Sequence, residues 1–486
     1  MGDEVKLRSL IDHVPLSHHD VEIEGLSSDS RLIKNKFVFF ALAGSKARGV
    51  DFIKDAVHRG ASIIVGEEQV PQNLPNNILY FHVEDTRLAL AQAASRFYPR
   101  QPEMIVAVTG TAGKSSVADF TRQIFSKTGH RAASLGTIGI TREDRIDYGA
   151  LTTPDPVSLH ETLQALHDEG ITHLAMEASS HGLDQKRLDG VRLKAAAFTN
   201  LGHDHLDYHG TREAYLQAKL RLFDPLLPKG YPAVVNADCD DAVTVIEKAR
   251  HRGLDIISVG RAGQTITLNA ARREGFDQII SLRHEGRSYE VTLPLVGEFQ
   301  ISNALVAAGL ALAGGVKSDH VFEALSSLRG VKGRLERVGV HKGGFIVIDY
   351  AHKPDALKAV LETMRPFAEG RLICIFGCGG DRDKEKRALM GAIAHQSADI
   401  TIVTDDNPRS EDAAAIRRSI LSAAPGAREI ADRAAAIQAG IDILEKGDVL
   451  VIAGKGHETG QIIGDKILPF SDHEVVAACL NKGVLA

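Results

Sequence analysis

The chain contains 486 residues with a formal net charge of −6, and 44% of its residues are hydrophobic and 25% charged. This composition predicts a soluble globular protein of about three domains. The weak net charge excludes a strong general attraction to nucleic acid or to an anionic membrane surface, so we expect no nucleic-acid partner. The N-terminal segment lacks a signal-peptide profile, and the longest apolar run, 304–316, is too short to cross a bilayer. We therefore expect a cytoplasmic protein without membrane insertion.

Short apolar runs alternate with amphipathic segments, which predicts an α/β protein with mostly parallel sheets covered by helices. Residues 1–98 form the first predicted domain, with strands at 37–42, 61–65 and 78–83, a helix at 51–59 and a helix capped by Asp85 that runs to Tyr98. Residues 99–330 form the second, with a helix from Ser115 and strands at 104–108, 174–176, 195–198 and 233–235. Residues 331–486 form the third, with strands at 345–348, 372–376, 400–403 and 449–452.

The chain has four cysteines, whose spacing fits neither a disulfide framework nor a paired zinc site. Cysteines of this kind in a reducing compartment are usually buried free thiols. We interpret all four in this way: Cys239, Cys374, Cys378 and Cys479.

A glycine-bearing turn connects the predicted strand 104–108 to the predicted helix at Ser115. Its glycines allow backbone N–H groups to approach phosphate oxygens, while the helix N-terminus and Lys114 add positive charge. Ser115 supplies a hydroxyl that suits Mg²⁺. The match to the general P-loop pattern is incomplete because position 108 is Val, so an ordinary turn stays open as the alternative. We favour a nucleotide-phosphate site formed by Gly110, Thr111, Ala112, Gly113, Lys114, Ser115 and Ser116.

Three further segments carry polar residues suited to catalysis or metal binding. Glu177 ends a predicted strand, where parallel sheets bind ligands, although a helix-capping carboxylate is an equal alternative. Segment 199–209 contains three histidines and two aspartates and indicates either a metal site or a polar loop. Beside a phosphate loop, a hard ion such as Mg²⁺ or Mn²⁺ is favoured over zinc. Lys219 lies on an amphipathic helix and is by itself typical of a solvated lysine.

These segments together resemble the Mur ligase family, and the resemblance covers essentially the whole chain. The loop is similar to the family's TGTNGKTT sequence, with Ala112 in place of Asn and with Ser115 and Ser116 in place of Thr. The resemblance implies catalytic roles for Lys114, Glu177, His205 and Lys219. It also implies two Mg²⁺ ions, with CO₂ converting the lysine to a carbamate that ligates metal. The implied metal ligands are Ser115, Glu177, His205 and carbamylated Lys219.

The same resemblance implies an N-terminal UDP-sugar-binding domain over 1–98, a central ATP-binding P-loop core over 99–330 and a C-terminal Rossmann-like, amino-acid-binding domain over 331–486. ATP is the implied co-substrate, and its contacts outside the loop are Asn303, Arg334 and Asp349. Gln300 stands where the family usually has Asn. A UDP-N-acetylmuramoyl dipeptide is the implied acceptor, and its contacts are Ser30, Thr152, Thr153, Ser180, Gln185 and Arg187.

Within the family, an Asp-Asn-Pro-Arg sequence such as that at 406–409 is associated with meso-diaminopimelate. This amino acid carries a carboxylate that lysine lacks, and a guanidinium can bind it through two hydrogen bonds. Read alone, the segment is also compatible with a plain Asn-Pro turn. The implied diaminopimelate contacts are Arg382, Asp406, Asn407, Pro408, Arg409, Gly454 and Glu458.

The resemblance implies ligation through an acyl phosphate, in which the terminal carboxylate of the dipeptide attacks the γ-phosphate of ATP and the amine of diaminopimelate then displaces phosphate. We expect a monomer whose domains close to exclude water. Three alternatives stay open: a lysine-adding ligase of the same family, which Arg409 disfavours; a folylpolyglutamate synthase, which lacks a comparable N-terminal uridine domain; and a P-loop switch protein without ligase activity.

Overall fold

Alternating strands and helices build three principal sheets of 11, six and four strands in the part of the chain that the structure describes. The structure is a computed structural model, and it describes residues 5–44, 48–70, 74–149, 151–202 and 204–482. The chain divides into two units. The first contains the chain up to Ala270 with Ser281–Val291 and Ser302–Leu325, and the second contains Ala271–Ile280, Thr292–Ile301 and the chain from Ser326.

The N-terminal part of the first unit carries the four-stranded sheet, in which β3 to β6 are parallel and consecutive. Asp85 caps α3 by accepting a hydrogen bond from the N–H of Leu88 at 2.9 Å, as predicted. The predicted helix 51–59 instead begins as a 3₁₀ turn, Gly49–Phe52. The elements are β1 (Val5–Lys6), α1 (Leu7–Leu10), β2 (Glu22–Ile23), β3 (Gly25–Ser27), β4 (Phe37–Ala41), α2 (Ile53–His58), β5 (Ile63–Gly66), β6 (Leu79–His82) and α3 (Thr86–Phe97).

The 11-stranded sheet comes from the middle of the chain, and its predicted parallel centre is confirmed. Its strands are β7 (Met104–Thr109), β8 (Ala132–Gly136), β9 (Gly139–Thr141), β10 (Ile146–Tyr148), β11 (His173–Glu177), β12 (Leu193–Phe198), β13 (Pro232–Asn236), β14 (Asp255–Gly260), β15 (Ile266–Glu274), β16 (Asp277–His284) and β17 (Arg287–Leu293). Its helices are α4 (Lys114–Lys127), α5 (Pro156–Asp168), α6 (Ser180–Asp184), α7 (Leu206–His209), α8 (Arg212–Leu220), α9 (Ala242–Arg252), α10 (Phe299–Ala313) and α11 (Ser318–Leu325).

The order of the sheet is β10-β9-β8-β11-β7-β12-β13-β14-β15-β16-β17. Along the consecutive sheet positions β8-β11-β7-β12-β13-β14-β15, every neighbouring pair is parallel. At the edge of the sheet, β9 pairs antiparallel with both β8 and β10. The central strands are apolar on both faces because helices cover both sides; Ile105, Val106 and Ala107 of β7, for example, are fully buried.

The six-stranded sheet comes from the C-terminal part of the second unit and has the order β18-β19-β23-β20-β21-β22. All its pairs are parallel except β18 with β19, in agreement with the predicted α/β alternation. Its elements, with a separate β24–β25 hairpin, are β18 (Glu336–His341), β19 (Gly344–Asp349), α12 (Pro354–Met364), β20 (Leu372–Phe376), α13 (Glu385–Ser397), β21 (Ile400–Val403), α14 (Ala413–Leu421), β22 (Arg428–Glu429), α15 (Arg433–Asp442), β23 (Val449–Ala453), β24 (Gly460–Ile463), β25 (Lys466–Pro469) and α16 (Asp472–Lys482).

The predicted domain boundary near residue 98 lies inside the first unit, where the N-terminal and central parts pack together. Val157 of α5 packs against the core of the four-stranded sheet, and Lys186 forms an ion pair with Asp85. The division into three domains therefore stays a prediction. Three of the four cysteines are buried as expected and form no disulfide, whereas Cys239 is only partly buried. In the described ranges, no helix has both the length and the apolar character needed to cross a membrane.

Parallel strands bring their carboxyl ends to one edge of a sheet, and ligands bind at such edges. In the first unit, β11, β7 and β12 are neighbours, and in the second unit β19, β23, β20 and β21 are neighbours. Each predicted site segment that follows one of these strands therefore lies at the carboxyl edge of its sheet.

A buried ion pair ties α15 to α16 in the second unit. Arg433 donates through Nε and Nη2 to both carboxylate oxygens of Asp472, at 2.7 and 2.8 Å, and both side chains are 0% exposed. We expect Asp472→Ala to lower the free energy of unfolding by about 3 kcal/mol, because it leaves a buried guanidinium without its counter-ion. Urea-induced unfolding of the full chain, followed by circular dichroism, measures this loss.

The matched control removes an exposed ion pair of the same unit, between Arg272 and Glu274. We expect Glu274→Ala to change the free energy of unfolding by less than about 1 kcal/mol, since exposed pairs are screened by water. Equal losses in the two variants would contradict the structural role given to the Arg433–Asp472 pair.

Candidate active site

The predicted phosphate loop connects β7 to α4, as expected from the sequence. Gly110 and Gly113 have φ values of +148° and +85°, which favour glycine. Gly113 is the N-cap residue of α4 and has no side chain, so it provides no side-chain acceptor for the first backbone N–H groups of the helix. Helix starts of this kind bind anions through N–H groups and the helix dipole.

Lys114 folds back over this loop. Its Nζ donates hydrogen bonds to the carbonyl oxygens of Gly110 and Thr111, both at 3.0 Å. The ammonium therefore lies at the start of α4, where it adds a full charge to the partial charge of the helix N-terminus.

Two residues that follow β12 shape the loop and were not assigned a role from the sequence. The backbone carbonyl of Asn200 accepts a hydrogen bond from the N–H of Thr111 at 2.9 Å, and its side-chain Oδ1 accepts one from the N–H of Ala112 at 3.0 Å. Thr199 donates to the carbonyl of Ala112 at 2.7 Å. Their position could have indicated this role, because both residues directly follow β12, a strand that pairs with β7. Sequence reasoning also missed Tyr215, whose hydroxyl lies 3.2 Å from Thr111 Oγ1.

Asn303, a predicted ATP contact on α10, packs against the same loop. A Cβ atom added to Gly113 would clash with its amide oxygen. Gln300, one turn earlier on α10, is buried. Asn303 therefore lies beside the phosphate loop of the first unit, and its contact with ATP stays a prediction. Gln300, which stands where the family usually has Asn, belongs to the second unit.

Ser115 and Glu177 meet at the edge of the sheet. Ser115 donates from Oγ to Glu177 Oε1 at 2.8 Å, and Glu177 is only 2% exposed. The carboxylate also accepts from the N–H and hydroxyl of Thr137, at 2.8 and 3.2 Å. A Cβ on Gly136 would clash with the carboxylate. The capping alternative for Glu177 is wrong, because Ser179 caps α6 instead.

A hydroxyl and a carboxylate in contact are the oxygen ligands that hard cations prefer, so Ser115 and Glu177 fit one Mg²⁺ ion. His205 contacts other partners: its Nε2 lies 3.5 Å from Asp204 Oδ2, and its ring centroid lies 4.7 Å from that of His181. His203 lies outside the described residues. Where side chains are described, no three from His, Cys, Asp or Glu are grouped to hold a metal ion. The histidine segment is therefore not a preformed zinc cluster in the described residues.

Lys219 is buried, and the interpretation of a solvated lysine is wrong. It is 1% exposed, and its Nζ donates to the carbonyl of Gly110 at 2.7 Å. The Nζ also lies 4.3 Å from the ring centroid of Tyr215. Burial, together with the charge of Lys114, lowers the pKa of Lys219 to about 6, against a smaller opposing effect of Asp204. At neutral pH the amine of Lys219 is thus mostly uncharged, and it contacts the phosphate loop at Gly110.

Most predicted contacts to the dipeptide substrate converge beside Glu177. Arg187 donates to the carbonyl of Thr153 and to Gln185 Oε1, both at 2.7 Å. The hydroxyl of Thr152 lies 3.0 Å from that of Thr137, a partner of Glu177. Among the described residues, the buried hydroxyl of Ser180 has no hydrogen-bond partner.

Ser30 lies in the N-terminal part, in the 3₁₀ turn that Asp29 caps after β3. Its hydroxyl bonds the carboxylate of Asp55 and helps to lower the pKa of that carboxyl group. The structure therefore places Ser30 in a local network of the four-stranded sheet region.

The predicted diaminopimelate residues converge in the second unit, on loops that follow β20, β21 and β23. Arg409 has φ +53° and donates from Nη1 to the carbonyl of Gly380 at 2.8 Å. A Cβ on Gly379 would lie 2.9 Å from Arg409 Nη1 and 4.0 Å from Arg382 Cγ, so the two arginines flank this glycine. The carbonyl of Pro408 packs against Gly380.

The carboxylates of the same group lie beside the loop after β23. A Cβ on Gly454 would lie 2.8 Å from Asp406 Oδ2. Asn407 donates from Nδ2 to Glu458 Oε2 at 3.0 Å. Two guanidinium groups and two carboxylates at one sheet edge suit an amino acid with charged groups at both ends. Segment 406–409 thus lies among charged groups of both signs, which favours the binding interpretation over a plain Asn-Pro turn.

Arg334 and Asp349 also belong to the second unit. The carboxylate of Asp349 accepts from the N–H groups of Leu335 and Ala351, both at 2.7 Å. Burial raises the pKa of Asp349, and the positive charge of Arg334 offsets part of this rise. The guanidinium of Arg334 lies 4.9 Å above the ring of Tyr350. Asp349 thus orders the loop that carries Arg334.

Comparisons with known proteins identify the family of this chain. Residues 22–98 match the Mur ligase family catalytic domain, 108–311 the Mur ligase middle domain and 333–456 the Mur ligase glutamate ligase domain. A relative from Bradyrhizobium diazoefficiens is 54% identical, covering 99% of this chain and 100% of its own, and one from Agrobacterium fabrum is 55% identical, covering 95% and 94%. Both are named UDP-N-acetylmuramoyl-L-alanyl-D-glutamate--2,6-diaminopimelate ligase.

A solved structure of a ligase with that name superposes with a TM-score of 0.74 at 30% identity and covers 99% of both chains. The three matched domains and the full-length relatives lead to one assignment. The chain belongs to the Mur ligase family.

Proposed function

We propose that this protein is an ATP-dependent ligase that adds meso-2,6-diaminopimelate to UDP-N-acetylmuramoyl-L-alanyl-D-glutamate in cytoplasmic peptidoglycan precursor synthesis. The observation that carries the proposal is identity above 50% over nearly the full length of relatives with this activity in their names. The chemistry of the two sheet edges supports it, because one suits a nucleotide phosphate and the other a doubly charged amino acid.

The loop after β7 binds the phosphates of ATP in this proposal. Backbone N–H groups at the start of α4 and the ammonium of Lys114 provide positive charge where the transferred phosphoryl group gains negative charge. Lys114 must exchange its carbonyl partners for phosphate oxygens when ATP binds. Asn303 packs on Gly113 and holds the shape of the loop.

Ser115, Glu177, His205 and a carbamate on Lys219 would hold two Mg²⁺ ions, which supply charge neutralisation where two anions meet. The neutral, buried amine of Lys219 supports carbamate formation. Its nitrogen attacks the carbon of CO₂, a C–N bond forms as one C=O π bond breaks, and the proton lost from nitrogen goes to solvent. The product carries one negative charge shared by two oxygens where the unmodified side chain has an amine.

Ligation then follows in two steps. A carboxylate oxygen of the dipeptide attacks the γ-phosphorus of ATP, giving an acyl phosphate and ADP. The amine of diaminopimelate attacks the acyl carbon, the C–O bond to phosphate breaks, and the amine proton is lost. Thr152, Thr153 and Arg187 orient the dipeptide beside Glu177, and the hydroxyl of Ser180 has capacity for a further hydrogen bond. Arg382 and Arg409 bind the distal carboxylate of diaminopimelate.

Phosphate release from ATP, measured with the UDP-muramoyl dipeptide and one amino acid at a time, tests the proposal. We expect rapid release with meso-diaminopimelate and little with L-lysine, which lacks the distal carboxylate. Preference for L-lysine would replace the proposal with a lysine-adding ligase. Phosphate release that no amino acid stimulates would reject ligation.

We expect Lys219→Ala to lower kcat by about a thousandfold, because the alanine side chain cannot form a carbamate and charge neutralisation is lost. Bicarbonate should not restore activity, whereas a small organic acid should restore part of it by taking the place of the carbamate. The control is Lys127→Ala, at an exposed lysine in α4, which should retain the wild-type rate. Wild-type turnover in Lys219→Ala would exclude the carbamate.

The lowered pKa of Lys219 gives this modification a pH dependence. The amine is protonated and unreactive below pH 6 and neutral above it, so reactivation of CO₂-depleted protein by dissolved CO₂ should increase through about pH 6 and then level off. Reactivation rates measured from pH 5 to 8 at constant dissolved CO₂ test the sign. Rates that keep rising up to pH 8, as the ordinary lysine pKa of 10.5 requires, would contradict the buried, neutral amine.

We expect Gly110→Ala to weaken ATP binding by about a hundredfold, because the new Cβ would clash with Thr199 and displace the loop. Gly129→Ala is a matched control, since Gly129 also has a positive φ but open space around its Cα. It should cost only about 1 kcal/mol of stability and leave ATP affinity unchanged. Calorimetric titration with ATP measures the affinity of each variant. Equal affinities of the Gly110 and Gly129 variants would show that the loop does not bind ATP.

We expect Arg409→Ala to raise the KM for diaminopimelate by about tenfold or more, because a charge-assisted hydrogen bond contributes about 2 kcal/mol. The KM for ATP should stay within about twofold, since the phosphate loop is untouched. Arg428→Ala, at an exposed arginine of β22, is the control and should change neither KM. Parallel rises in both KM values after Arg409→Ala would contradict the specificity role.

A further inference from the structure

We propose that Lys455 is a positioning residue for the amino-acid substrate, which holds Asn407 and Glu458 in their binding arrangement without contacting the substrate itself. The inference rests on the proposed function, because it assigns a role within the diaminopimelate site. Lys455 lies between Gly454 and Glu458 on the loop after β23, and the sequence analysis gave it no role.

Lys455 is a fully buried cation, with 0% of its side chain exposed. Its Nζ donates to Asn407 Oδ1 at 2.9 Å, to Glu458 Oε2 at 3.2 Å and to the carbonyl of Gly460 at 2.7 Å. An ammonium group has three N–H donors and no acceptor. All three donors therefore have protein partners, and none remains to bind a substrate carboxylate.

The contact with Asn407 sets the orientation of its side-chain amide. Asn407 Oδ1 accepts from Lys455 and also from the N–H of Ile462 at 3.0 Å. With the oxygen held by two donors, Nδ2 points to Glu458 Oε2, to which it donates at 3.0 Å. Lys455, together with the N–H of Ile462, thus determines which end of the amide meets the carboxylate of Glu458.

Lys455 also balances the negative charge of this site. Its Nζ lies 3.7 Å from Asp406 Oδ1 in addition to its contact with Glu458. A neutral side chain here would leave the two carboxylates without this cation, and one bond to Glu458 would be lost. Buried groups that lose a partner carry a desolvation cost, so they move towards solvent or towards other donors.

The third partner connects Lys455 to the β24–β25 hairpin, which begins at Gly460. This hairpin holds the loop of Arg409: the N–H of Arg409 donates to the carbonyl of Ile462 at 3.1 Å, and the N–H of Gly464 donates to the carbonyl of Arg409 at 2.8 Å. One ammonium therefore joins the loop after β21, the loop after β23 and the hairpin. Removal of that ammonium should disturb amino-acid binding and leave the phosphate loop intact.

The test replaces Lys455 by Met, which has similar length but no charge, and by Arg, which keeps the charge in a planar group. We expect Lys455→Met to raise the KM for diaminopimelate by about tenfold or more, while the KM for ATP and for the UDP-dipeptide stay within about twofold. Lys455→Arg should give a smaller, several-fold rise, since a guanidinium retains the charge but does not match the three acceptor directions. Lys466→Met, at an exposed lysine of β25, should leave all three KM values unchanged.

Thermal unfolding of each variant separates positioning from a purely structural role. A loss of kcat that follows the folded fraction, with unchanged KM values, would overturn the proposal, as would equal rises in all three KM values. If Lys455→Met does not fold, Lys455→Arg carries the test, and an unchanged KM for the amino acid in that variant would also overturn it.

The design also separates this inference from the proposed function. The wild-type protein is first assayed with meso-diaminopimelate and with L-lysine, and the Lys455 variants are then measured with whichever amino acid the wild type uses. A preference for L-lysine would reject the proposed substrate but not the positioning role. Normal use of diaminopimelate by the wild type, with no selective KM rise in the variants, would reject only the positioning role.

Discussion

Parallel strands deliver their carboxyl-terminal loops to one edge of a sheet, and both candidate sites depend on this constraint. The phosphate loop follows β7, Glu177 ends β11, and Thr199 and Asn200 follow β12, which are adjacent strands of one sheet. The residues are far apart in sequence, but their strand ends adjoin. The second unit repeats the principle, with separate loops after β20, β21 and β23 supplying the proposed amino-acid site.

Each site also organises charge in a buried environment. In the first unit, Lys219 is buried near Lys114, and the outcome is a neutral amine whose hydrogen bond goes to a backbone carbonyl. In the second, Lys455 is buried among acceptors that match its three donors. Burial thus changes the protonation of one lysine, whereas the other is surrounded by oxygen atoms that suit its charged form.

Local sequence features predicted much of the fold. The strands 372–376 and 400–403 were predicted with their observed bounds because they are short apolar runs between polar segments, and Asp85 was recognised as a helix cap. The strands β15, β16 and β17 were missed because charged residues interrupt their apolar pattern on the exposed face. The β24–β25 hairpin was missed for a related reason, since its β25 strand is exposed throughout and lacks a buried face.

The site residues divide in the same way. Ser115 and Glu177 were predicted as site residues because a loop motif and a strand end are local signals, and the structure brings the two side chains into contact. Lys219, read alone, resembled a surface lysine because burial results from packing between elements distant in sequence. Asn200 and Tyr215 bond the loop through the same long-range packing. A sequence pattern without the fold does not contain that information.

Gly136 illustrates how such packing limits evolutionary change. It belongs to the end of β8 and has no assigned ligand, yet any side chain there would collide with the carboxylate of Glu177. Drift to alanine at this position would push the proposed cation ligand away from Ser115. Homologues that retain this carboxylate should therefore keep glycine at the equivalent position. Conservation of this glycine would then result from steric exclusion and not from substrate recognition.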